Sequence, residues 1–577
     1  QLNAFAYING ELFKEAIPPA AFDAKMRQEL IDACETDWQT ISPEIFGSLF
    51  QSVMDKDERR NLGAHYTSEL NILKVVNSLF LDDLKSELTA IKSNKQVNVR
   101  ASKLDTFHDK LAKLTFLDPA CGCGNFLVVA YRELRLLELE VIEQIKQDSL
   151  QLVMDVDSLV RCNVNQFYGI EIEEFPTQIA RVAMWLVDHQ MNLLVSERFG
   201  THYARIPLKQ SAFIAFANAL QVDWPVTDYI LGNPPFIGKS NQSKEQKADL
   251  SSVCAGIASA GNLDFVTAWY VKAARLMSLH LQTRTAFVST NSITQGEQVP
   301  ILWTWMLAQG MVIQFAHRTF QWQNAGKGKA AVHCVVIGFG KDNNISKSLF
   351  SYDDIKGLPT VNVASNINPY LVDAENIILG KKSEPISKVS PMRYGSKPVD
   401  GGHLILTEQE RIELISCNPM ASDWIRLFIG SEELINSSKR YCLWLESCPP
   451  STLRKMGAVL QRVEGVKQMR LASTKEPTKK QASTPTIFAE MRQPQGNYLA
   501  VPEVSSENRI YLPIAYLEQT VIASNKLYTI SGATRYEFGI MASLMHNAWM
   551  RTVTGRLESR YQYSASIVYN NFPWPLN

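Results

Sequence analysis

Two short loops constrain the fold most, because each directly follows an apolar run. The first loop spans residues 118–126 (DPACGCGNF) and follows apolar residues 114–117. The second spans residues 233–236 (NPPF) and follows residues 229–231. Such runs are typical of buried parallel strands. Because ligands bind outside the carboxyl ends of strands in open α/β sheets, the loops predict a cofactor and an acceptor side by side.

Strand and helix patterns alternate between residues 114 and 339, which predicts a doubly wound, mostly parallel α/β sheet. The strand-like runs that helix-like stretches separate are residues 114–117, 167–172, 213–217, 229–231 and 285–289. Two further runs, 311–316 and 332–339, are joined by a loop too short for a parallel crossover helix. We therefore expect these last two strands to form an antiparallel pair.

The regions on either side of this core have other patterns. Residues 1–58 are helical and acidic and predict a helical spacer before a core domain of residues 59–345. In residues 346–577, short segments rich in aromatic residues alternate with Gly, Pro, Ser and Asn, which predicts a mixed α+β domain with a C-terminal helical tail. Residues 474–486 are expected to form a mobile loop. Because the first residue is Gln, we expect a fragment or a processed product.

Composition excludes several classes of protein. No run of about 18 uncharged apolar residues is present, so no membrane span is expected. No signal peptide is visible, and the nine scattered cysteines include no CxxC pair, so we expect reduced thiols in a cytoplasm. Cys121 and Cys123 have a spacing that is poor for one zinc ion, and no metal site is predicted.

Positive charge is unevenly distributed although the formal net charge is zero. Residues 439–480 contain ten Lys and Arg but only three Glu. A solvated surface segment is the common explanation for such a stretch. A local basic face also suits DNA, which does not require a basic protein overall. The candidate DNA-binding residues are Lys397, Lys439, Arg440, Arg462 and Arg470.

The first loop suits a ligand with an adenosyl group and no triphosphate. Gly122 and Gly124 remove Cβ where the backbone must approach a ligand closely, and no P-loop Lys-Ser/Thr follows. Glu171 ends the next strand, where a carboxylate can accept hydrogen bonds from ribose hydroxyls. Asn218 follows the third strand and could pair with an adenine edge. S-adenosylmethionine fits this description, although a structural glycine turn explains the loop taken alone.

The second loop can activate an exocyclic amine. Its two prolines stiffen the backbone and remove two N–H groups. The Asn233 side-chain oxygen and the Pro234 carbonyl can both accept from one NH₂ group, which localises the nitrogen lone pair. Phe236 offers a ring for stacking on a base, which can reach such a pocket only by leaving the duplex. A simple proline turn is the structural alternative.

Taken together, these stretches resemble the motifs of amino-group DNA methyltransferases. NPPF is similar to the N6-adenine type, and the motif order resembles the class with C-terminal target recognition. Residues 63–67 (GAHYT) resemble that class's N-terminal cofactor motif. Residues 320–322 (FQW) resemble the late motif that lines the target-base pocket. Further matches to the MmeI-like family of single-chain restriction–modification enzymes occur at residues 395–398, 400–402, 441–445 and 569–575.

The resemblance implies a Rossmann-like class I S-adenosylmethionine methyltransferase sheet, with an N-terminal helical segment and a C-terminal target-recognition domain. It implies methyl transfer to adenine N6 in double-stranded DNA by base flipping. The implied catalytic residues are Asn233, Pro234, Pro235 and Phe236, with Phe320 and Trp322 in the target-base pocket. The implied cofactor-binding residues are His65, Tyr66, Thr67, Asp118, Pro119, Ala120, Gly122, Asn125, Phe126, Glu171, Ile172, Asn218 and Ala219.

Family members carry an N-terminal nuclease, but no carboxylate–lysine constellation of that kind stands before Arg59. We therefore expect the modification and specificity part of a restriction–modification enzyme, with the nuclease domain absent from this chain. Two alternatives stay open. Methyltransferases that act on protein glutamine or on RNA also use Asn-Pro-Pro loops, but the aromatic and basic C-terminal half counts against them. The second alternative is a DNA-recognition subunit without catalytic activity. Such a subunit would not need both loops, so the presence of both intact loops counts against it.

Overall fold

The structure is a computed structural model that describes residues 23–35, 68–148, 160–199, 212–322, 332–557 and 559–575. The chain divides into two compact units. The first unit contains the described residues up to Thr294 together with Gln298–Ile378, and the second contains Gln295–Glu297 and the described residues from Leu379 onward. Most of the expected helical spacer and the whole GAHYT stretch lie outside the described residues.

The described residues of the first unit form a nine-stranded sheet with the order β3-β2-β1-β4-β5-β7-β6-β8-β9. Strands β1 to β5 are parallel, whereas β7 is antiparallel to both β5 and β6. The expected antiparallel pair and the Rossmann-like α/β class are therefore confirmed. The strands are β1 Phe116–Asp118, β2 Phe167–Glu171, β3 Phe213–Phe216, β4 Tyr229–Gly232, β5 Arg284–Thr290, β6 Val312–Trp322, β7 Val332–Gly340, β8 Lys347–Ser351 and β9 Thr360–Ala364. The sheet thus continues past residue 345.

Helices accompany these strands. A π-helical turn at Asn77–Leu81 joins the helices Glu69–Val76 and Asp82–Lys92. The α-helices of the first unit are α1 Ala24–Glu35, α2 Glu69–Val76, α3 Asp82–Lys92, α4 Val97–Lys113, α5 Asn125–Asp148, α6 Glu174–Phe199, α7 Lys244–Val253, α8 Thr267–Leu279 and α9 Gln298–Ala308. In the part of the chain that the structure describes, no helix combines the length and the apolar character needed to cross a bilayer.

An aromatic cluster lies beneath the two loops and fixes the strands that carry them. Phe116 of β1 stacks on Phe167 of β2 with ring centroids 4.7 Å apart, and on Tyr229 of β4 at 5.5 Å. Phe80 packs against Phe116 at 4.9 Å. Phe116 and Phe167 are fully buried. Burial of one such ring contributes about 1.5–3 kcal/mol, so the cluster holds β1, β2 and β4 in register.

A buried polar network joins helices α5 and α6. Arg135 is 0% exposed, and its guanidinium donates to Asp188 Oδ1 at 3.0 Å and to the Tyr131 hydroxyl at 2.7 Å. Its Nε lies 3.1 Å from Glu138 Oε2. Glu138 Oε1 in turn accepts from the backbone N–H of Cys162 at 2.7 Å. Because such charges are costly to bury alone, each member of the network depends on the others.

The second unit is built from short elements, as the mixed α+β prediction required. Its described strands form small sheets with the orders β10-β18-β14-β16, β11-β13-β12-β17 and β15-β20-β19. These strands are β10 Met392–Tyr394, β11 Ile405–Leu406, β12 Ile425–Ile429, β13 Tyr441–Leu443, β14 Tyr498–Pro502, β15 Val504–Ser505, β16 Ala515–Leu517, β17 Ile522–Ala523, β18 Leu527–Ser531, β19 Gly555–Leu557 and β20 Arg560–Gln562. The helices are α10 Glu408–Cys417, α11 Ser431–Asn436, α12 Pro450–Leu453, α13 Gly457–Leu471, α14 Glu476–Lys480, α15 Arg535–Ala542 and α16 Leu544–Val553.

Candidate active site

The two loops lie at the same edge of the sheet, where the strand order reverses between β1 and β4. Asp118 at the end of β1 pairs in register with Gly169 of β2. Leu117 pairs with Ile230 of β4, so the NPPF loop begins beside the first loop. This reversal is the topological switch point at which open α/β sheets bind ligands.

The glycine loop leads from β1 into the N-terminus of α5. Gly122 has φ +54° and Gly124 has φ +85°, both in the left-handed region that favours glycine. A Cβ at Gly124 would lie 3.1 Å from Ala180 Cβ, so this glycine allows close helix packing. A Cβ at Gly122 would meet nothing within 4 Å. Gly122 therefore borders open space next to a helix N-terminus, with Asn125 and Phe126 buried in the first turn of α5.

Glu171 ends β2 and faces this loop. Its Oε2 accepts from the Gly122 N–H at 2.8 Å, and its Oε1 accepts from the Glu173 N–H at 3.0 Å. Burial, together with the charge of Glu173, raises the pKa of Glu171. Each carboxylate oxygen has a second lone pair, so both can also accept from hydroxyl groups. This geometry suits the two hydroxyls of a ribose.

Asp118 and Gly232 bring the two loops into direct contact. Asp118 is 1% exposed, and its Oδ1 accepts from the Ala120 N–H at 3.0 Å. A Cβ on Gly232 would lie only 2.4 Å from that Oδ1, so position 232 has no room for a side chain. Among the described residues, Asp118 Oδ2 is buried and accepts no hydrogen bond. That oxygen is suited to a donor on a bound ligand.

The protonation of Asp118 gives an expected pH dependence of stability. Burial, with a contribution from Glu171, raises the pKa of Asp118 to about 8. The folded state therefore binds this proton more tightly than the unfolded state. The stabilisation that this bound proton gives the folded state is complete below the unfolded-state pKa of about 3.9. It is lost as the pH rises through the folded-state pKa of about 8.

Relative to an Asp118→Asn variant, the wild type should lose stability by up to about 1.4 kcal/mol per pH unit between pH 5 and pH 8. Urea unfolding of both proteins at pH 5, 6.5 and 8 measures this difference. A difference that stays constant over the range would contradict the buried, protonated Asp118.

The residues after β3 form a third loop beside Glu171. Asn218 Oδ1 accepts from the Leu220 N–H, and its Nδ2 donates to Asp249 Oδ2, both at 2.9 Å. The amide of Asn218 is thus already engaged within the protein. The carbonyl of buried Ala219 accepts from Trp224 Nε1 at 2.8 Å. Ile172, which follows Glu171, is 52% exposed and free to cover a ligand ring.

A cleft of about 240 Å³ runs along strands β2 and β3. Tyr168, Ile170, Phe213, Ala215 and Ala217 contribute to its lining. Its walls are apolar side chains and strand backbone, which suits a flat ring. At the loops themselves, the open space at Gly122, the carboxylate of Glu171 and the buried Oδ2 of Asp118 form a set of polar groups that fits an adenosyl group carrying an amino acid.

The NPPF loop follows β4 directly. Pro119 of the first loop and Pro234 are buried, while Asn233, Pro235 and Phe236 are partly exposed. Phe236 packs against the hydrophobic core at its rim. The loop is therefore supported from below and open on its other side, as a pocket for an acceptor requires.

The remaining predicted residues are placed differently. Phe320 is 2% exposed, its ring stacks on Tyr352 at 5.4 Å, and the Lys74 ammonium lies 5.1 Å from its centroid. Phe320 is therefore a buried part of the β6 packing, and its place in the wall of the target-base pocket stays a prediction. Trp322 ends β6, and its side chain lies outside the described residues, as do His65, Tyr66 and Thr67.

The cysteines of the glycine loop are buried thiols. Burial, together with nearby carboxylates, raises the pKa of Cys121 well above its usual value. Burial, together with Glu171, raises the pKa of Cys123 to about 12. At neutral pH both side chains are protonated and act as small apolar groups.

The candidate DNA-binding residues of the second unit fall into two groups. Lys397 and Lys439 are exposed. Arg440 pairs with Glu433 at 3.0 Å, and Arg462 donates to Glu410 at 2.7 Å. The two arginines thus already have carboxylate partners, whereas the lysines present their charge to solvent.

Arg470 is an interior residue, which corrects its prediction as a DNA contact. It is 0% exposed, and its guanidinium donates to backbone carbonyls at 2.9–3.0 Å. The acceptors are the carbonyls of Pro398, Val399, Gln481, Thr484 and Ile487. The expected mobile loop at residues 474–486 is also wrong, because the segment contains α14 and a 3₁₀ turn at Gln481–Ser483 that Arg470 binds.

Sequence reasoning missed three side chains that hold these loops, two of them buried and the third partly buried. They are Asp264, Trp269 and Lys272, in and just before α8. The available signal was a single acid inside the apolar run 263–271 (LDFVTAWYV), where a charged residue needs a partner.

Comparison with known proteins matches most of the chain. The model of the MmeI DNA-methyltransferase domain matches residues 92–351, and the model of the MmeI target recognition domain matches residues 373–576. DNA methyltransferase A of Bacillus subtilis (strain 168) is 39% identical over 585 residues, which is 100% of this chain and 65% of that protein. The chain thus spans just under two thirds of this relative.

A solved structure gives the same result. The Type IIL restriction-modification enzyme MmeI, determined in complex with DNA, is 53% identical to this chain and has a TM-score of 0.89. The match covers 100% of this chain and 77% of that one. At this identity and coverage, sequence and fold agree over the whole chain.

Proposed function

The chain belongs to the MmeI family of DNA methyltransferases with a target recognition domain, and from this premise we propose that it methylates adenine N6 in double-stranded DNA. The proposal is supported by the contact between Asp118 and Gly232, which sets the cofactor loop against the acceptor loop. We assign modification and sequence recognition of a restriction–modification enzyme to this chain.

Residues of β1, β2 and β3 would hold S-adenosylmethionine. Glu171 would accept hydrogen bonds from the ribose hydroxyls, and the Gly122 backbone leaves room beside it. The buried Asp118 Oδ2 would form a hydrogen bond with a further polar group of the cofactor. The bound cofactor supplies an electrophilic methyl group, so no strong general base is required.

The NPPF loop would hold the target amine. Asn233 and Pro234 offer oxygen acceptors for the two amine hydrogens, which turns the nitrogen lone pair away from the ring and toward the methyl group. Phe236 would stack on the flipped adenine. Correct placement of the two reactants supplies much of the rate, since no other group has to react.

Exposed lysines of the second unit, such as Lys397 and Lys439, would contact the DNA backbone. Contacts between lysines and phosphates weaken as the salt concentration rises. The salt dependence of binding would therefore distinguish DNA from a protein substrate. We also propose a cytoplasmic location, which suits a DNA substrate and the free cysteines of the described residues.

Transfer of tritiated methyl groups from S-adenosylmethionine to plasmid DNA tests the function. We expect label in the DNA, and we expect sequencing to find N6-methyladenine in one recurring short context. RNA and protein substrates serve as controls under the same conditions. Label in RNA or protein but not in DNA would support the first alternative, and binding to DNA without any transfer would support a recognition subunit.

A further inference from the structure

Helix α8 and the residues just before it contact all three loops of the site. Trp269 Nε1 donates to the carbonyl of Pro119 in the glycine loop at 3.1 Å. Lys272 Nζ donates to the carbonyl of Ala219 in the loop after β3 at 2.7 Å. Asp264 binds the backbone immediately after the NPPF loop. A single helix thus connects the elements proposed to hold the cofactor and the target base.

Asp264 fixes the first residue after NPPF. Its Oδ1 accepts from the Ile237 N–H at 3.0 Å and from the Val266 N–H at 3.2 Å. The Ile237 carbonyl accepts from the Phe265 N–H at 3.0 Å and from Gln242 Nε2 at 2.9 Å. Ile237 is therefore held through both its N–H and its carbonyl, and the carboxylate that holds it is only 5% exposed.

The loop depends on this external support. Pro234 and Pro235 have no N–H, so they cannot form the hydrogen bonds that usually fix a loop backbone. Burial raises the pKa of Asp264 to about 6, so the carboxyl is an anion at a pH well above that value. Hydrogen bonds to a charged acceptor are roughly twice as strong as neutral ones.

The backbone of Asp264 also anchors the helix. Its carbonyl accepts from the Thr267 N–H at 3.1 Å and from Thr267 Oγ1 at 2.7 Å, at the first residue of α8. Trp269 lies in the first turn of α8, five residues after Asp264. One short segment, from Asp264 to Trp269, therefore contacts both the residue after the NPPF loop and the carbonyl of Pro119.

We propose that Asp264 is a positioning residue that holds the NPPF loop at the distance from the glycine loop that methyl transfer requires. The proposal rests on the proposed function, because it concerns the alignment of the target amine with the methyl donor. Asp264 contacts the loop backbone and not the reacting atoms. Its loss should therefore slow the chemical step while binding of each ligand is retained.

The test measures single-turnover methyl transfer together with S-adenosylmethionine affinity by calorimetry. Asp264→Ala should lower the transfer rate about 100-fold, as expected for a misplacement of roughly 1 Å. The cofactor Kd and the KM for DNA should stay within about threefold, since the contacts of β1 and β2 are unchanged. Asp264→Asn keeps an oxygen acceptor of the same reach and should restore the rate to within about tenfold of wild type.

Arg275→Ala is the matched control from the same helix, because Arg275 is exposed and donates to the Ala255 carbonyl, away from all three loops. It should behave as wild type. Should the alanine variant not fold, Asp264→Glu decides the matter. Glu keeps the charge but displaces the acceptor by one methylene, and it should be slower than Asp264→Asn.

Wild-type rates in Asp264→Ala, or in Asp264→Glu where alanine does not fold, would overturn the positioning role. An equal loss of rate and of cofactor affinity, without recovery in Asp264→Asn, would show that Asp264 has only a structural role. That result would also overturn the positioning role. Failure of the wild type to methylate DNA is a separate result, which contradicts the proposed function itself.

Discussion

Replacement of Asn233 by alanine should lower methyl transfer to DNA about 10²- to 10³-fold, the loss seen when one aligned polar group is removed from a reaction site. Asn233 follows β4 directly, and its side-chain oxygen is the proposed acceptor for the target amine. Without it, the lone pair of the amine stays conjugated with the base ring. The proposed cofactor contacts come from β1, β2 and β3, so S-adenosylmethionine affinity should be retained.

Single-turnover transfer with tritiated cofactor measures the rate, and calorimetry measures the affinity. Asn241→Ala is a matched control, because Asn241 is an exposed asparagine in the 3₁₀ turn Lys239–Asn241 a few residues later. It should keep the wild-type rate. Full methyl transfer by Asn233→Ala would exclude the proposed mechanism, whichever substrate the enzyme uses.

Replacement of Arg135 by methionine should lower the free energy of unfolding by about 3–5 kcal/mol, the usual cost of removing one partner from a buried ion pair. Arg135 is fully buried between Asp188 and Glu138. Methionine fills a similar volume but leaves both carboxylates without their cation. Arg135, Glu138 and Asp188 lie on α5 and α6, the helices that pack on β1 and β2. The destabilised region is therefore close to the cofactor loops.

Arg198→Met is the control from the same two helices. Arg198 of α6 pairs with Glu143 of α5 at 2.9 Å, but both side chains are 39% exposed. Such surface pairs contribute about 0–1 kcal/mol. Urea unfolding followed by circular dichroism measures both variants. Equal losses would show that the burial of Arg135 does not determine its contribution.

The sequence predicted the parts of the site whose chemistry is local. Gly122 and Gly124 were identified because they remove Cβ where the backbone must approach a ligand, and the structure gives both a positive φ that also favours glycine. The strands before the loops were found as short apolar runs. Element ends were less well predicted. Strand β6 was expected to end at residue 316 but continues to Trp322, and no Gly or Pro lies between these positions.

Residues whose role depends on distant partners were missed or misassigned. Asp264 binds Ile237, and Arg470 binds Pro398, so neither contact is visible in a local window. Arg470 was assigned to the surface because lysines surround it in the sequence. One signal was available, since Val459, Val463, Val466 and Arg470 follow helical spacing and all four are buried on one side of α13.

The acceptors of Arg470 have a consequence for how this protein can change. Every one of them is a main-chain oxygen, a group that all amino acids share. The guanidinium therefore fixes the path of the loops around residues 398–399 and 481–487 without selecting their side chains. Substitutions in these loops can accumulate while the framework keeps its shape.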